Sequence, residues 1–209
     1  MKTILSAVFC ASLFYSGTAF AVDTDRFVPE LCKTAPSSLD RVQSIMCHGG
    51  DTYRLRYVQR SRRIVLTVGR RQLILHRIPK GYDPSLVGAD TLIGFLPNSL
   101  QPYRTSNILL YISSIRTSGG SGGGQCGSGS EIYLNFLDVG PTIPKLKSSI
   151  LIGSCEESIE LLDQDALRGQ FGAISVIENQ LSLQFMFYKK LEGDPIATVS
   201  PDHKQLLFP

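Results

Sequence analysis

Histidine is scarce here, with three in 209 residues. His48, His76 and His203 stand far apart, and none has a ligand-type neighbour at metal spacing, so no metal site is expected. No H-E-x-x-H, C-x-x-C or P-loop occurs. The signatures of zincins, dithiol oxidoreductases and Walker-type nucleotide sites are therefore missing. Cys47-His48 sets a thiol beside an imidazole, but chain neighbours rarely point at each other as a nucleophile and its base must. Gly153-Ser154-Cys155 is not a nucleophile elbow. Glu156, Glu157, Glu160, Asp163 and Asp165 cluster without the spaced pattern of a calcium loop, and read as a solvated acidic segment. The chain is read as a non-enzyme without cofactor. An enzyme of unrecognised type would have to depend on His48 or His76.

Long apolar runs are also missing beyond the N-terminus, so no membrane span is expected. The N-terminus itself reads as a secretory signal. Lys2 supplies the positive charge, Ile4 to Phe14 the short apolar region, and Ala19-Phe20-Ala21 the small-x-small cleavage site. Residues 1–21 are expected to be removed with Cys10, leaving a mature chain from Val22 in a periplasmic or extracellular setting. Residues 22–209 then suffice for one domain with a core.

Charge is unevenly distributed along the chain. Between Arg54 and Lys80 lie nine Lys or Arg and no acid. From Glu131 onward there are eleven acids against six bases. The basic stretch, which opens with Arg54 and Arg56, is either a solvated strand face or a docking surface. No nucleic-acid partner is expected.

Four cysteines remain in the mature chain: Cys32, Cys47, Cys126 and Cys155. An even count in an exported protein predicts two disulfides, with three possible connectivities. Cys32–Cys47 and Cys126–Cys155 are favoured. The second has a local reason: the midpoint falls at the turn signal Gly140-Pro141, so 132–137 and 149–152 would pair as a hairpin with the cysteines near its open end.

Helix signals are few. Only 32–45 has one, with Ser37 or Ser38 as N-cap before Leu39, Val42 and Ile45. The rest reads as all-β. Tyr53–Val58 alternates apolar and basic, and 63–68 and 72–78 follow around Gly69-Arg70. Residues 79–106, with four prolines and three glycines, read as loop with one short helical turn. Strands are expected at 108–115, 131–137, 148–153, 173–177, 181–188, 196–199 and 205–208, and at 158–162 a strand or short helix. The pattern is an antiparallel meander of short strands, sandwich or propeller-like and disulfide-stabilised. The turn Ser200-Pro201-Asp202-His203-Lys204 resembles those of β-propeller blades, although the chain is short for a full propeller.

What the chain has in abundance is glycine in one place. Ser118-Gly119-Gly120-Ser121-Gly122-Gly123-Gly124-Gln125-Cys126-Gly127-Ser128-Gly129 is seven-twelfths glycine and lies between two expected strands. No Lys-Ser/Thr follows it, so it is a poor phosphate cradle. An ordered glycine loop is entropically expensive, and loops of this length in compact domains are usually functional or disordered. Without Cβ atoms such a loop fits a narrow groove, where Ser118, Ser121, Ser128 and Ser130 can hydrogen-bond.

An exported, disulfide-tied, all-β chain with the Ser118–Ser130 loop and no catalytic constellation resembles the periplasmic immunity proteins of Gram-negative bacteria. These neutralise type VI secretion effectors, particularly peptidoglycan amidases. The resemblance implies that the Ser/Gly-rich loop 117–130 enters the catalytic cleft of a cell-wall hydrolase. Ser118 and Ser121 would lie in the cleft, Gly119, Gly120, Gly122, Gly123, Gly124, Gln125 and Ser128 would share in binding the partner, and Arg54 and Arg56 would form the rim that steers encounter. The competing expectation is an envelope binding or assembly module using its basic strand face.

Overall fold

The computed structural model describes residues 43–58, 61, 63–77, 92–116, 130–162, 171–191 and 193–209. Their strands form three antiparallel sheets. The first runs β1 (Gln43–His48), β2 (Asp51–Val58), β3 (Arg63–Val68), β4 (Arg71–Arg77) in spatial as in chain order. The middle sheet does the same with β5 (Leu92–Phe95), β6 (Ile108–Arg116), β7 (Ser130–Asp138) and β8 (Lys145–Gly153). The third comprises β9 (Ile159–Leu161), β10 (Ile174–Ile177), β11 (Gln180–Tyr188), β12 (Ile196–Val199) and β13 (Leu206–Leu207). There β10, β11, β12 and β13 follow in order, and β9 pairs with the far half of β11.

β1 corrects the helix expected over 32–45 at its C-terminal end. Ser44 and Met46 are buried, while Ile45 and Cys47 are half-buried on the other face. The turn after it explains the choice. Gly49 and Gly50 sit at φ 58° and 84°, the left-handed pair that a two-residue hairpin turn requires. His48 is thereby set opposite Asp51, and six residue pairs zip up toward Gln43. The remainder of 32–42 lies outside the described residues.

β5 corrects the expectation of loop over 79–106. Leu92–Phe95 is a strand beside β6, and two 3-10 turns, Asn98–Leu100 and Arg104–Ser106, follow it. Gln101 extends the pairing where β5 ends. Its buried amide nitrogen donates to the carbonyls of Leu96 and Leu110, both at 2.8 Å, and its oxygen accepts from the Leu110 N–H at 2.7 Å.

The expected hairpin of 132–137 with 149–152 is present as β7–β8, with Leu134 opposite Ile150 and Asn135 opposite Ser149. The region 158–162 resolves to the strand β9. Glu178 and Asn179, both at positive φ, turn β10 into β11. Ser200 to His203 closes a β-turn through a His203 N–H to Ser200 carbonyl bond of 2.8 Å.

The middle sheet is apolar on both faces, which is why 108–112 is a continuous apolar run. Leu109, Tyr111, Leu137 and Val139 pack with Met46, Tyr53, Leu55, Tyr57, Ile64 and Leu66 of the first sheet. Leu110, Ile112, Leu134, Phe136, Ile150 and Ile152 pack with Leu161, Leu181, Leu183, Phe185, Ala197 and Val199 of the third. The result is a three-layer stack whose inner layer supplies both cores.

Candidate binding surfaces

Of the two surfaces singled out by sequence, the basic one lies on an outer face of the stack and the Ser/Gly-rich one falls outside the described residues. β6 and β7 pair without a break over nine positions, from Ile108 opposite Asp138 to Arg116 opposite Ser130. The segment 117–129 is the connection between them. Ser118, Gly119, Gly120, Ser121, Gly122, Gly123, Gly124, Gln125, Cys126 and Ser128 therefore lie outside the described residues, while both strands that carry them are fixed. Within that segment Gly119 to Gly123 spells G-x-S-x-G letter by letter. A nucleophile elbow needs a helix after its turn, whereas strands flank this segment on both sides.

The C-terminal end of β8 reaches the same end of the sheet. Gly153 pairs with Ile132, and Ser154 and Cys155 follow. The approach is close: a Cβ on Gly153 would stand 2.7 Å from Ile132 Cδ1 and 3.1 Å from Ile132 Cβ. Cys155 and Cys47 are both disulfide-bonded. Cys32 and Cys126, and with them both expected pairings, lie outside the described residues. A disulfide-bonded Cys47 is not the free thiol that a Cys47-His48 nucleophile would need. His48 Nε2 instead lies 3.4 Å from Asn107 Oδ1.

Arg54 and Arg56 stand exposed on the outer face of β2, alternating with the buried Tyr53, Leu55 and Tyr57. Neither forms an ion pair among the described residues. Val65 on β3 is opposite Arg56, and Ile74 of β4, itself 47% exposed, is opposite Val65. The face is thus basic with an apolar stripe. Its orientation follows from β1: Ser44 Oγ accepts from the Phe95 N–H at 3.0 Å, and the Cys47 carbonyl accepts from Arg104 at 3.2 Å. β1 therefore runs away from the end of the middle sheet at which 117–129 connects. Gln43 opposite Arg56 lies toward that end, with Arg54 one step further off.

Polar groups that sequence reading missed sit on the middle sheet. Asn135 Nδ2 donates to Ser113 Oγ at 3.0 Å, and the Ser149 hydroxyl donates to Asn135 Oδ1 at 2.7 Å. The network crosses β6, β7 and β8 on the side facing the first sheet. An Asn and two Ser interrupting apolar strands were its only sequence signal. Tyr133 donates to Glu131 at 2.7 Å nearby. Tyr111 is fully buried, with no hydrogen-bond partner for its hydroxyl among the described residues, and burial raises its pKa far above the ordinary value.

At the opposite end of the stack His203 bridges the middle and third sheets. Its ring stacks on Phe136 at 4.9 Å and 17° and meets Tyr103 at 4.5 Å. Lys147 Nζ lies 3.0 Å from Nδ1. Since an ammonium only donates, Nδ1 accepts and the ring is neutral. Burial first, then the Lys147 charge, lower the His203 pKa, and Asp202 partly opposes them. His76 is lowered by burial alone. Of the acidic segment, Glu157 pairs with Lys189 at 3.1 Å on the surface, and Asp163 and Asp165 lie outside the described residues. Among the described residues no cluster of His, Cys, Asp and Glu is arranged to hold a metal ion, and no helix is long and apolar enough to cross a membrane.

Comparison with known proteins finds no matching family, no matching curated protein and no matching solved structure.

Proposed function

We propose that the protein is a periplasmic inhibitor of the immunity type, which binds a secreted peptidoglycan hydrolase and blocks its cleft with the Ser/Gly-rich loop 117–130. One observation carries the reading. The loop connects the two inner strands of a sheet packed on both faces, so its ends are held by nine consecutive residue pairs. A rigid base reduces the entropy lost when a glycine-rich loop orders in a partner's groove. In this reading Cys126–Cys155 ties the loop to the end of β8 and Cys32–Cys47 ties the N-terminal segment to β1, each contributing on the order of 3 kcal/mol. Export by residues 1–21 places the protein where cell-wall hydrolases act.

The test is capture by tagged mature protein (Val22–Pro209) from the source strain, beside a Gly119–Gly124 deletion of unchanged melting behaviour. The expected result is one dominant hydrolase, captured by the intact protein alone and inhibited by it in a peptidoglycan-release assay. Capture that survives the deletion removes the loop from the mechanism.

A second reading rests on Arg54 and Arg56, exposed on β2 and without an ion pair among the described residues. Here the protein is an envelope binding or assembly module with an acidic partner. Binding would weaken steeply with salt, because exposed charges are screened, and would be insensitive to the loop deletion.

A further inference from the structure

The outer face of the third sheet differs in kind from that of the first. Its outward positions expose Ile177 (58%), Met186 (45%), Phe187 (36%), Ile196 (48%) and Leu207 (40%). The remaining outward positions of β10 to β13 hold serine, threonine and glutamine, and none holds a charge. Within the strands of this sheet the one outward charge is Glu160, on β9 opposite Phe187. Ile196, Thr198 and Leu207 continue into a groove completed by Phe208 and Pro209. A sheet face left in water ordinarily alternates apolar-in with polar-out, as β2 does with its arginines.

We propose that this face is a self-association surface, covered by the same face of a second copy in a two-fold dimer. Charge selects the occupant. An uncharged face meets itself without like-charge repulsion, whereas the arginine face would repel its own copy. The turns at the two ends of β11 carry opposite charges, Glu178 before it and Lys190 after it, and neither has an ion-pair partner among the described residues. A two-fold axis in the interface plane and perpendicular to the strands brings Glu178 of one copy to Lys190 of the other, twice. At a strand spacing of about 4.8 Å and a rise of about 3.3 Å per residue, the strands β9 to β13 offer on the order of 350 Å². A standard interface buries about 800 Å² per partner, so the dimer is a weak one that forms with rising concentration. The exposed apolar side chains surround a polar, uncharged centre of Ser182, Gln184 and Thr198, and Glu178 and Lys190 stand at the rim.

The test is sedimentation velocity of the mature chain over a range of micromolar concentrations, with Ile196→Asp and Met186→Asp as face variants. Both side chains are exposed, so the fold should persist, as near-ultraviolet circular dichroism and melting curves would show. The expected result is a concentration-dependent monomer–dimer equilibrium, with at least about tenfold weaker association in either variant. Glu178→Lys and Lys190→Glu should each weaken the dimer, and the double exchange should restore it, an outcome that loss of a merely structural charge would not give. A chain monomeric throughout overturns the proposal, as does a dimer indifferent to both aspartates or a double exchange no better than the singles. A monomer that floats with neutral phosphatidylcholine vesicles through this face would assign it to lipid instead.

Discussion

Replacing Gln101 by methionine removes three hydrogen bonds at nearly constant volume. Gln101 is 5% exposed, and its amide takes the place of a strand where β5 stops pairing with β6. The Leu110 N–H would be left buried without its acceptor, at a cost of about 1–3 kcal/mol, and two donated bonds worth about 1 kcal/mol each would go. The expected loss is about 3 kcal/mol, allowing for partial relaxation, or a drop in Tm of about 6–12 °C for a domain of this size. Gln101→Glu gives the sharper result. A carboxylate still accepts from Leu110 N–H but turns its second oxygen on the carbonyls of Leu96 and Leu110, in a site that desolvates it. It should be less stable than the methionine variant at neutral pH. Relative to wild type it should recover as pH falls toward about 4, where a protonated acid can donate. Urea unfolding followed by tyrosine fluorescence reads all three proteins. A methionine variant within about 0.5 kcal/mol of wild type, or a glutamate variant equal to glutamine, would refute this account of the β5–β6 junction.

Gly153→Ala should cost about 1–2 kcal/mol, because the new Cβ meets Ile132 at 2.7 Å and 3.1 Å. Ile132→Val, which removes the nearer atom, should return part of the loss in a double-mutant cycle. His203 makes stability pH-dependent: its folded pKa is lowered below the ordinary 6.5, so the unfolded chain takes the proton first. Its contribution is complete above 6.5 and is lost as pH falls through the folded value, with His76 acting in the same direction. His203→Asn, which tolerates the φ of 63° at this position, should flatten that slope in denaturation midpoints measured on either side of 6.5.

Local periodicity made most strands legible. The apolar–basic alternation of Tyr53–Val58 is a two-residue repeat, and it becomes the buried–exposed alternation of β2. Gly140-Pro141 marked the β7–β8 turn from sequence alone. The same local reading failed at Ile45, where an apolar spacing compatible with a helix overlaps the strand pattern Ser44-x-Met46. The hairpin at Gly49-Gly50 decided between them. β5 went unread because four residues among prolines and glycines carry too little pattern, and its strand state depends on β6 beside it.

The sequence by itself determined the all-β class, the order of most strands and the two surfaces with unusual composition, since each depends on residues close in the chain. Tertiary structure alone decided that the β6–β7 sheet lies between the other two. A continuous apolar run says that both faces are covered but not by what. It likewise decided that Gln101 completes a strand ladder, that His203 joins two sheets through Phe136 and Lys147, and that Ile177, Met186, Ile196 and Leu207 share one uncharged face. Those groupings join residues far apart in the chain, and only the packing of sheet on sheet brings them together.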